Sequence, residues 1–328
     1  MMLTKNQLAI FVTFASAAYF FLFFSFLPAE VVESRTESKA WFFAMKIGFL
    51  SIVFAAVTSS LLVATFRREF IKAQLANFNR FRHLLRLLVR RDFILRYRNS
   101  MLGILWSLLN PLLAMLILTA VFSYIFARHV PNFPVYLISG LLIFGFFSEA
   151  TSQAMGSIVN SAGIIKKVYI PKYIFPLARI ISSLVNLFFL FLVFLLIFAF
   201  TGAQFHWTLF LLPIPILYVF FFSLGIGLLL SSLSVFFRDL TYLYGVFTTL
   251  LMYLSAIFYP VDILPERVQS LLGLNPIYHF IDYFRCLALH GTVPDLWSNI
   301  VCLGFVMLAL CSGLYVFMSQ RDKFILYL

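Results

Sequence analysis

The chain has 328 residues, of which 63% are hydrophobic and only 11% charged, with a formal net charge of +12; an ordinary soluble domain carries about 25% charged residues. Forty-three phenylalanines do not fit into one water-soluble core of this size, so lipid is the solvent for most of the polypeptide. Ten of the 24 Lys and Arg residues fall between Arg67 and Arg98, among apolar segments; this distribution reads as orientation by the positive-inside rule plus attraction to anionic lipid, not as a nucleic-acid surface.

In chain order, Leu8–Leu27 is the first apolar segment. It is longer than a signal-peptide core and no A-x-A site follows, so a retained anchor helix is expected. Trp41–Phe66 is the second, closed by Arg67 and Arg68. Residues 1–70 therefore read as a transmembrane hairpin. Residues 71–100 follow as a basic amphipathic helix, strongest over Asn79–Arg98. There Phe81, Leu84, Leu85, Leu88 and Leu95 recur at helical spacing on one stripe, and Arg82, Arg86 and Arg90 recur every four residues on another. Such a helix lies in the headgroup region beside the membrane.

Residues 101–328 read as a six-span core. Its segments are Leu102–Ala127, Val135–Val159, Ile174–Thr201, Leu209–Phe236, Tyr242–Tyr259 and Trp297–Met318, which makes eight spans in all. The stretch from Pro260 to His290 is interrupted by Pro265, Gly273, Asn275 and Pro276. It fits short re-entrant or interfacial helices, because irregular backbone at membrane depth is tolerated only when packed in protein. With both termini inside, 18 Lys and Arg residues lie on the cytoplasmic side and five outside, Arg285 among the latter.

The chain holds no Gly-Lys pair and hence no P-loop, and no H-E-x-x-H, C-x-x-C or G-x-S-x-G motif. Energy for transport must then come from a partner chain or an ion gradient. Neither a metal site nor a catalytic residue is expected. Cys286, Cys302 and Cys311 are too widely spaced for a zinc set or a disulfide framework and read as packing residues. Asp262, Glu266, Asp282 and Asp295 are outer acids that read as solvated loop charges. Glu149 is the ionisable residue set well inside a span. Hydrogen-bonded helix glue is favoured for it over a proton or cation site.

Two features stay open on composition alone. The loop Asn160–Tyr173 is short and basic and presents Lys166 and Lys167; it is either a plain positive-inside loop or a docking element. The aromatics Tyr218, Tyr242, Tyr244, Tyr253 and Tyr259 either line a path on which sugar rings stack or form an interface belt.

Several segments together resemble a known family. The run RRDFILRYRNSMLGILWSLLNPLLAMLILTAVFSYIF, then GIIKKVYIPKYIFPLARIISSLVN, VFFRDLTYLYGVFTTLLMYLSAIFYPVDILPE and LNPIYHFIDYFR, are similar to the membrane subunits of ABC-type polysaccharide exporters. These permeases move lipid-linked O-antigen, capsular polysaccharide or teichoic acid across bacterial membranes. The resemblance covers about Leu85 to Leu328; the added hairpin before it is a departure from the family pattern.

The resemblance implies an all-α permease in the bacterial inner membrane. It works as a homodimer with two copies of a cytoplasmic ATPase that binds ATP and magnesium, with no cofactor in this chain. It implies that Arg90, Arg91, Asp92, Arg96, Tyr97 and Arg98 belong to the interface helix and its turn. Ile164, Ile165, Lys166, Lys167, Val168, Tyr169 and Pro171 would form the coupling element, which assigns the open loop to docking. The segment Tyr259–Arg285 would close the exit side. Trp106, Glu149, Tyr218, Tyr242, Tyr244, Tyr253 and Tyr259 are the candidate channel-lining residues. Export of a small hydrophobic compound, or a membrane enzyme acting on lipid-linked sugar, are the alternatives.

Overall fold

The computed structural model describes residues 68–97, 105–126, 130 and 132–328. The chain divides into two compact units, Met1–Ala76 and Asn77–Leu328, and the contacts that follow lie in the second. The expected N-terminal hairpin falls outside the described residues.

All regular structure among the described residues is helical. The basic helix α1 (Arg68–Tyr97) precedes α2 (Leu105–Phe126) and α3 (Phe133–Asn160), and a single turn, α4 (Ala162–Ile165), leads to α5 (Ile174–Phe200). After a 3-10 turn at Trp207–Leu211 come α6 (Pro213–Phe236) and α7 (Leu240–Tyr253). The short helices α8 (Glu266–Leu272) and α9 (Pro276–Arg285) follow, then a π turn at Cys286–His290, α10 (Leu296–Gln320) and α11 (Phe324–Tyr327).

Proline and asparagine place several of these starts. Pro213 and Pro276 occupy the first turns of α6 and α9, where the missing N–H costs nothing. Asn275 caps α9 by accepting from the Ile277 N–H at 2.9 Å.

Among the described residues, four helices are long and apolar enough to cross a membrane: α3, α5, α10, and α6 together with the preceding 3-10 turn. Of these α3 is the axial one. In its most apolar stretch 72% of residues are buried within the chain, against 33% for α5 and α6 and 39% for α10. The other three leave most of their surface for lipid or protein, which is why their sequences are more uniformly apolar than that of α3. The most extensive packing joins α6 to α10 and α3 to both α5 and α6.

The α6–α10 crossing depends on two glycines. A Cβ built on Gly225 would lie 2.3 Å from the Ala309 carbonyl carbon, and one on Gly313 would lie 2.0 Å from the Gly225 carbonyl oxygen. Backbone therefore meets backbone, as in the small-residue interfaces by which helices associate without a hydrophobic driving force. Gly313→Val should separate α10 from α6 and abolish recovery of monodisperse protein in size-exclusion chromatography, whereas Gly163→Ala, with nothing within 4 Å of its Cβ, should leave recovery unchanged.

One expected span is shorter than the sequence suggests. Tyr242–Tyr259 was expected to be helical throughout, but α7 stops at Tyr253. Its 14 residues rise about 21 Å, short of a hydrocarbon core about 30 Å thick. The chain then turns irregularly, with Ala256 in the left-handed region at φ 49°. The reason is on α9.

Arg285, expected among the outer loop charges, is buried at 5% exposure. Its Nη1 donates to the Ala256 carbonyl at 2.9 Å, its Nη2 to those of Tyr136 and Ile257 at 3.2 Å each, and its Nε to Ser139 Oγ at 3.3 Å. The guanidinium lies 3.4 Å from the centroid of the Tyr136 ring. Tyr136 in turn donates its hydroxyl to the carbonyls of Ala256 and Tyr259 at 3.1 and 2.8 Å. Asn275 Nδ2 donates to the Leu254 carbonyl at 2.9 Å. Carbonyls of the irregular segment after α7 are thus taken up by three side chains.

Arg285→Ala should strand those acceptors and cost about 3 kcal/mol or more. The expected readout is a lower thermal midpoint of the full chain in detergent. Arg285→Lys should recover only part of the loss, because a single ammonium cannot span four acceptors.

Candidate functional site

One end of the bundle gathers the basic helix, the α4 turn and the C-terminus. A single apolar cluster joins Leu88 of α1, Ile158 of α3, Ile165 of α4, Ile174, Phe175 and Ala178 of α5, Leu228 and Val235 of α6, Phe317 of α10 and Phe324 of α11. This cluster is the floor on which the surface residues are mounted.

The α4 segment divides by depth. Ile165 is buried, while Ile164, Lys166, Lys167, Val168 and Tyr169 are exposed, Tyr169 at 95%. Pro171 is half-buried. A rigid turn fixed by one buried isoleucine therefore projects two ammonium groups beside three apolar side chains, a surface suited to docking. Its far end is held by Lys172, whose Nζ donates to the Arg321 carbonyl and lies 5.5 Å from the Phe324 ring centroid. Burial pushes the Lys172 ammonium below its ordinary pKa, with Asp322 acting in the opposite direction.

The basic helix α1 is joined to the core by a polar ladder. Asp92 Oδ2 lies 2.9 Å from Arg179 Nη1 on α5 and accepts from Ser182 Oγ at 3.5 Å, while Asp92 Oδ1 accepts from the neighbouring Arg91. One turn further along α1, Arg96 Nη2 donates to Glu149 Oε1 on α3 at 2.8 Å. That same oxygen accepts from Gln153 Nε2 at 2.7 Å and from Asn186 on α5. An acid on α1 meets a base on α5, and a base on α1 meets an acid on α3. The two rungs have opposite polarity, so sliding α1 by one turn would set like charges opposite each other.

Glu149 Oε1 thus accepts from donors on three helices, an arrangement that ties α1, α3 and α5 together. Sequence reasoning placed Asp92 and Arg96 on the docking helix; the structure pairs the nearly buried Asp92 with Arg179 of α5 and the exposed Arg96 with Glu149 of α3. The signal was present: Asp92 is the sole acid among the arginines of residues 80–98. Arg90 is exposed. Arg98 and the side chain of Tyr97 lie outside the described residues.

The aromatics scatter. Trp106 is 49% exposed on α2. Tyr242 and Tyr253 are exposed on α7, at 80% and 57%, and Tyr259 donates its hydroxyl to the Tyr253 carbonyl. Tyr244 is buried and donates to Thr151 Oγ1 at 2.6 Å. Tyr218 donates to Asn299 Oδ1 at 3.0 Å, which Tyr283 also reaches at 2.9 Å. Trp106, Tyr242 and Tyr253 face outward from the chain, whereas Tyr218 and Tyr244 are engaged between helices. At the end opposite the α4 turn, a cleft of about 580 Å³ is lined by Asn132, Thr201, Gln204 and His206 with Ala288 and Leu289.

The sequence has relatives among known proteins. The ABC-2 type transporter family model matches residues 83–289, and the chain belongs to this family of multi-pass membrane permeases. It is 30% identical over 247 residues to the O-antigen export system permease protein RfbA of Klebsiella pneumoniae, covering 74% of this chain and 93% of that one. Identity to RfbA of Myxococcus xanthus is also 30%, over 74% and 95% of the two chains. The polysialic acid transport protein KpsM of Escherichia coli is 26% identical, over 71% and 91%.

Because Asp92 is 8% and Arg179 26% exposed, their pair is neither fully screened nor fully dry. Asp92→Asn should destabilise the chain by about 2 kcal/mol, below the cost for a fully buried pair. A double-mutant cycle with Arg179→Gln, read by thermal unfolding, should show coupling between the two positions.

Proposed function

We propose that this chain is the membrane subunit of an ATP-driven exporter that moves a lipid-linked polysaccharide outward across the bacterial inner membrane. The observation that carries the reading is the α4 turn: two exposed lysines and an exposed apolar set, fixed on a cluster that also holds the basic helix and the C-terminus. The similarity to O-antigen and polysialic acid export permeases supplies the substrate class.

In this reading two copies of the chain pair around a path, and each docks one cytoplasmic ATPase subunit on α1 and the α4 turn. In this six-span core the four long helices are joined by α2 and by α7 extended through the irregular segment to Tyr259, with both termini cytoplasmic. ATP and magnesium are held by the partner. Closure of the ATPase pair draws the α4 turns together, and the cluster beneath them passes the displacement to α3, α5, α6 and α10 as a rigid-body shift. The lipid end enters laterally between helices, and the glycan follows along aromatic side chains. Asn132, Thr201, Gln204 and His206, around the opposite cleft, offer hydrogen bonds to sugar hydroxyls at the exit.

Two measurements test this. The purified chain alone should hydrolyse no ATP, and hydrolysis without a partner would overturn the subunit reading. Lys166→Glu with Lys167→Glu should leave the bundle folded, since both side chains are exposed, yet lower polysaccharide export at least 10-fold while partner hydrolysis continues. Unchanged export would remove the turn from the docking role.

A further inference from the structure

Beside the polar ladder, α1 and α5 leave a groove between them. It has a volume of about 310 Å³ and is lined by Leu85, Val89 and Phe93 of α1 and by Ile181 and Val185 of α5, with Arg86 and Arg90 at its edge. The floor is apolar throughout. The two arginines are one helical turn apart and both exposed. The arginines of this helix that touch the core are engaged, Arg91 with Asp92 and Arg96 with Glu149. Arg86 and Arg90, in contrast, form no ion pair with any described residue.

A trough without hydrogen-bonding groups, edged by two uncompensated guanidinium groups, is complementary to a molecule with an anionic oxygen cluster joined to a hydrocarbon chain. Guanidinium groups offer planar, paired donors that match phosphate oxygens. A basic amphipathic helix rests at the depth where phosphate and acyl chain meet. Water in the groove would find no partner on its floor, whereas an acyl chain gains burial.

We propose that this groove is a binding site for one anionic glycerophospholipid, with its phosphodiester between Arg86 and Arg90 and a length of acyl chain along Val89, Phe93, Ile181 and Val185. The bound lipid completes the packing of α1 against α5 on the side the Asp92–Arg179 pair does not reach. It neutralises two charges of the interface helix next to the membrane.

The test is native mass spectrometry of the full chain in detergent, titrated with phosphatidylglycerol or phosphatidylcholine. One tightly retained phosphatidylglycerol is expected, with retention of phosphatidylcholine at least 10-fold weaker. Arg86→Gln with Arg90→Gln should weaken phosphatidylglycerol binding about 10-fold. Val185→Trp, which fills the trough and keeps both arginines, should do the same. Arg82→Gln, on the same basic face but outside the groove, should leave binding unchanged; an equal loss there would show diffuse charge attraction and overturn the site.

Complete displacement by millimolar inorganic phosphate would show an anion site without a chain seat and would also overturn it. Displacement by a polyprenyl diphosphate at equal concentration would make the occupant the transported lipid and not a glycerophospholipid. A photo-crosslinking residue at Val185 should label lipid. Crosslinking to a peptide from residues 1–66 would assign the groove to the chain's own N-terminal segment and sink the proposal. These readouts need no ATPase partner, so they stand or fall separately from the export function.

Discussion

Hydrocarbon supplies no hydrogen bonds, and the fold is organised by how the chain meets that constraint where its helices stop. The break after α7 is the severe case. The last carbonyls of a helix have no intrahelical partner, and those after Tyr253 do not reach water by continuing the helix. Arg285 answers with one guanidinium shared among backbone oxygens from two segments and a serine hydroxyl. Stacking on Tyr136 uses the flat face of the same group, so edge and face are both occupied. The arrangement allows a half-length helix and a set of short outer helices to sit against α3 without open backbone.

A second constraint acts at the other end, where α1 must be held in one register against α3 and α5. Apolar contact alone would let an interfacial helix slide, because one leucine stripe fits several registers. The Asp92–Arg179 and Arg96–Glu149 pairs remove that freedom, since their polarity alternates along α1. Glu149 belongs to α3, the most enclosed helix, and Arg179 to α5. The two pairs therefore tie α1 to the axial helix and to its neighbour together. The pairs contribute register more than stability.

Much of this was legible in the residues. The all-helical class and the apolar segments of α3, α5, α6 and α10 follow from length and hydropathy, because a lipid-facing helix has no other way to satisfy its backbone. The stripe of Phe81, Leu84, Leu85, Leu88 and Leu95 identified α1 as amphipathic; Leu88 is the residue of that stripe that becomes buried, whereas Leu95 is 64% exposed, beyond the part of α1 that packs on the core. Other features were hidden by the same logic. The end of α7 has no proline or glycine at Leu254–Tyr259; it is imposed by tertiary partners on α3 and α9, and no local pattern reports them. Arg285 looked like a loop charge because positive-inside counting weighs where a residue falls in sequence and says nothing of what lies across from it.

The ladder and the Arg285 knot together explain why the few charges of this chain repay individual reading. In a water-soluble protein a single arginine among many carries little information. Here only 11% of residues are charged, and each one placed against the core must be matched by an acceptor or a countercharge. Asp92, Arg96, Glu149, Arg179 and Arg285 all meet that requirement through helices distant in sequence, so they fix how α1, α3, α5 and α9 stand relative to one another. Arg82, Arg86, Arg90, Lys166 and Lys167 make no ion pair with a described residue. Their charge is left to act on whatever meets the surface, which separates the cations that hold the bundle together from those available to a partner or a lipid.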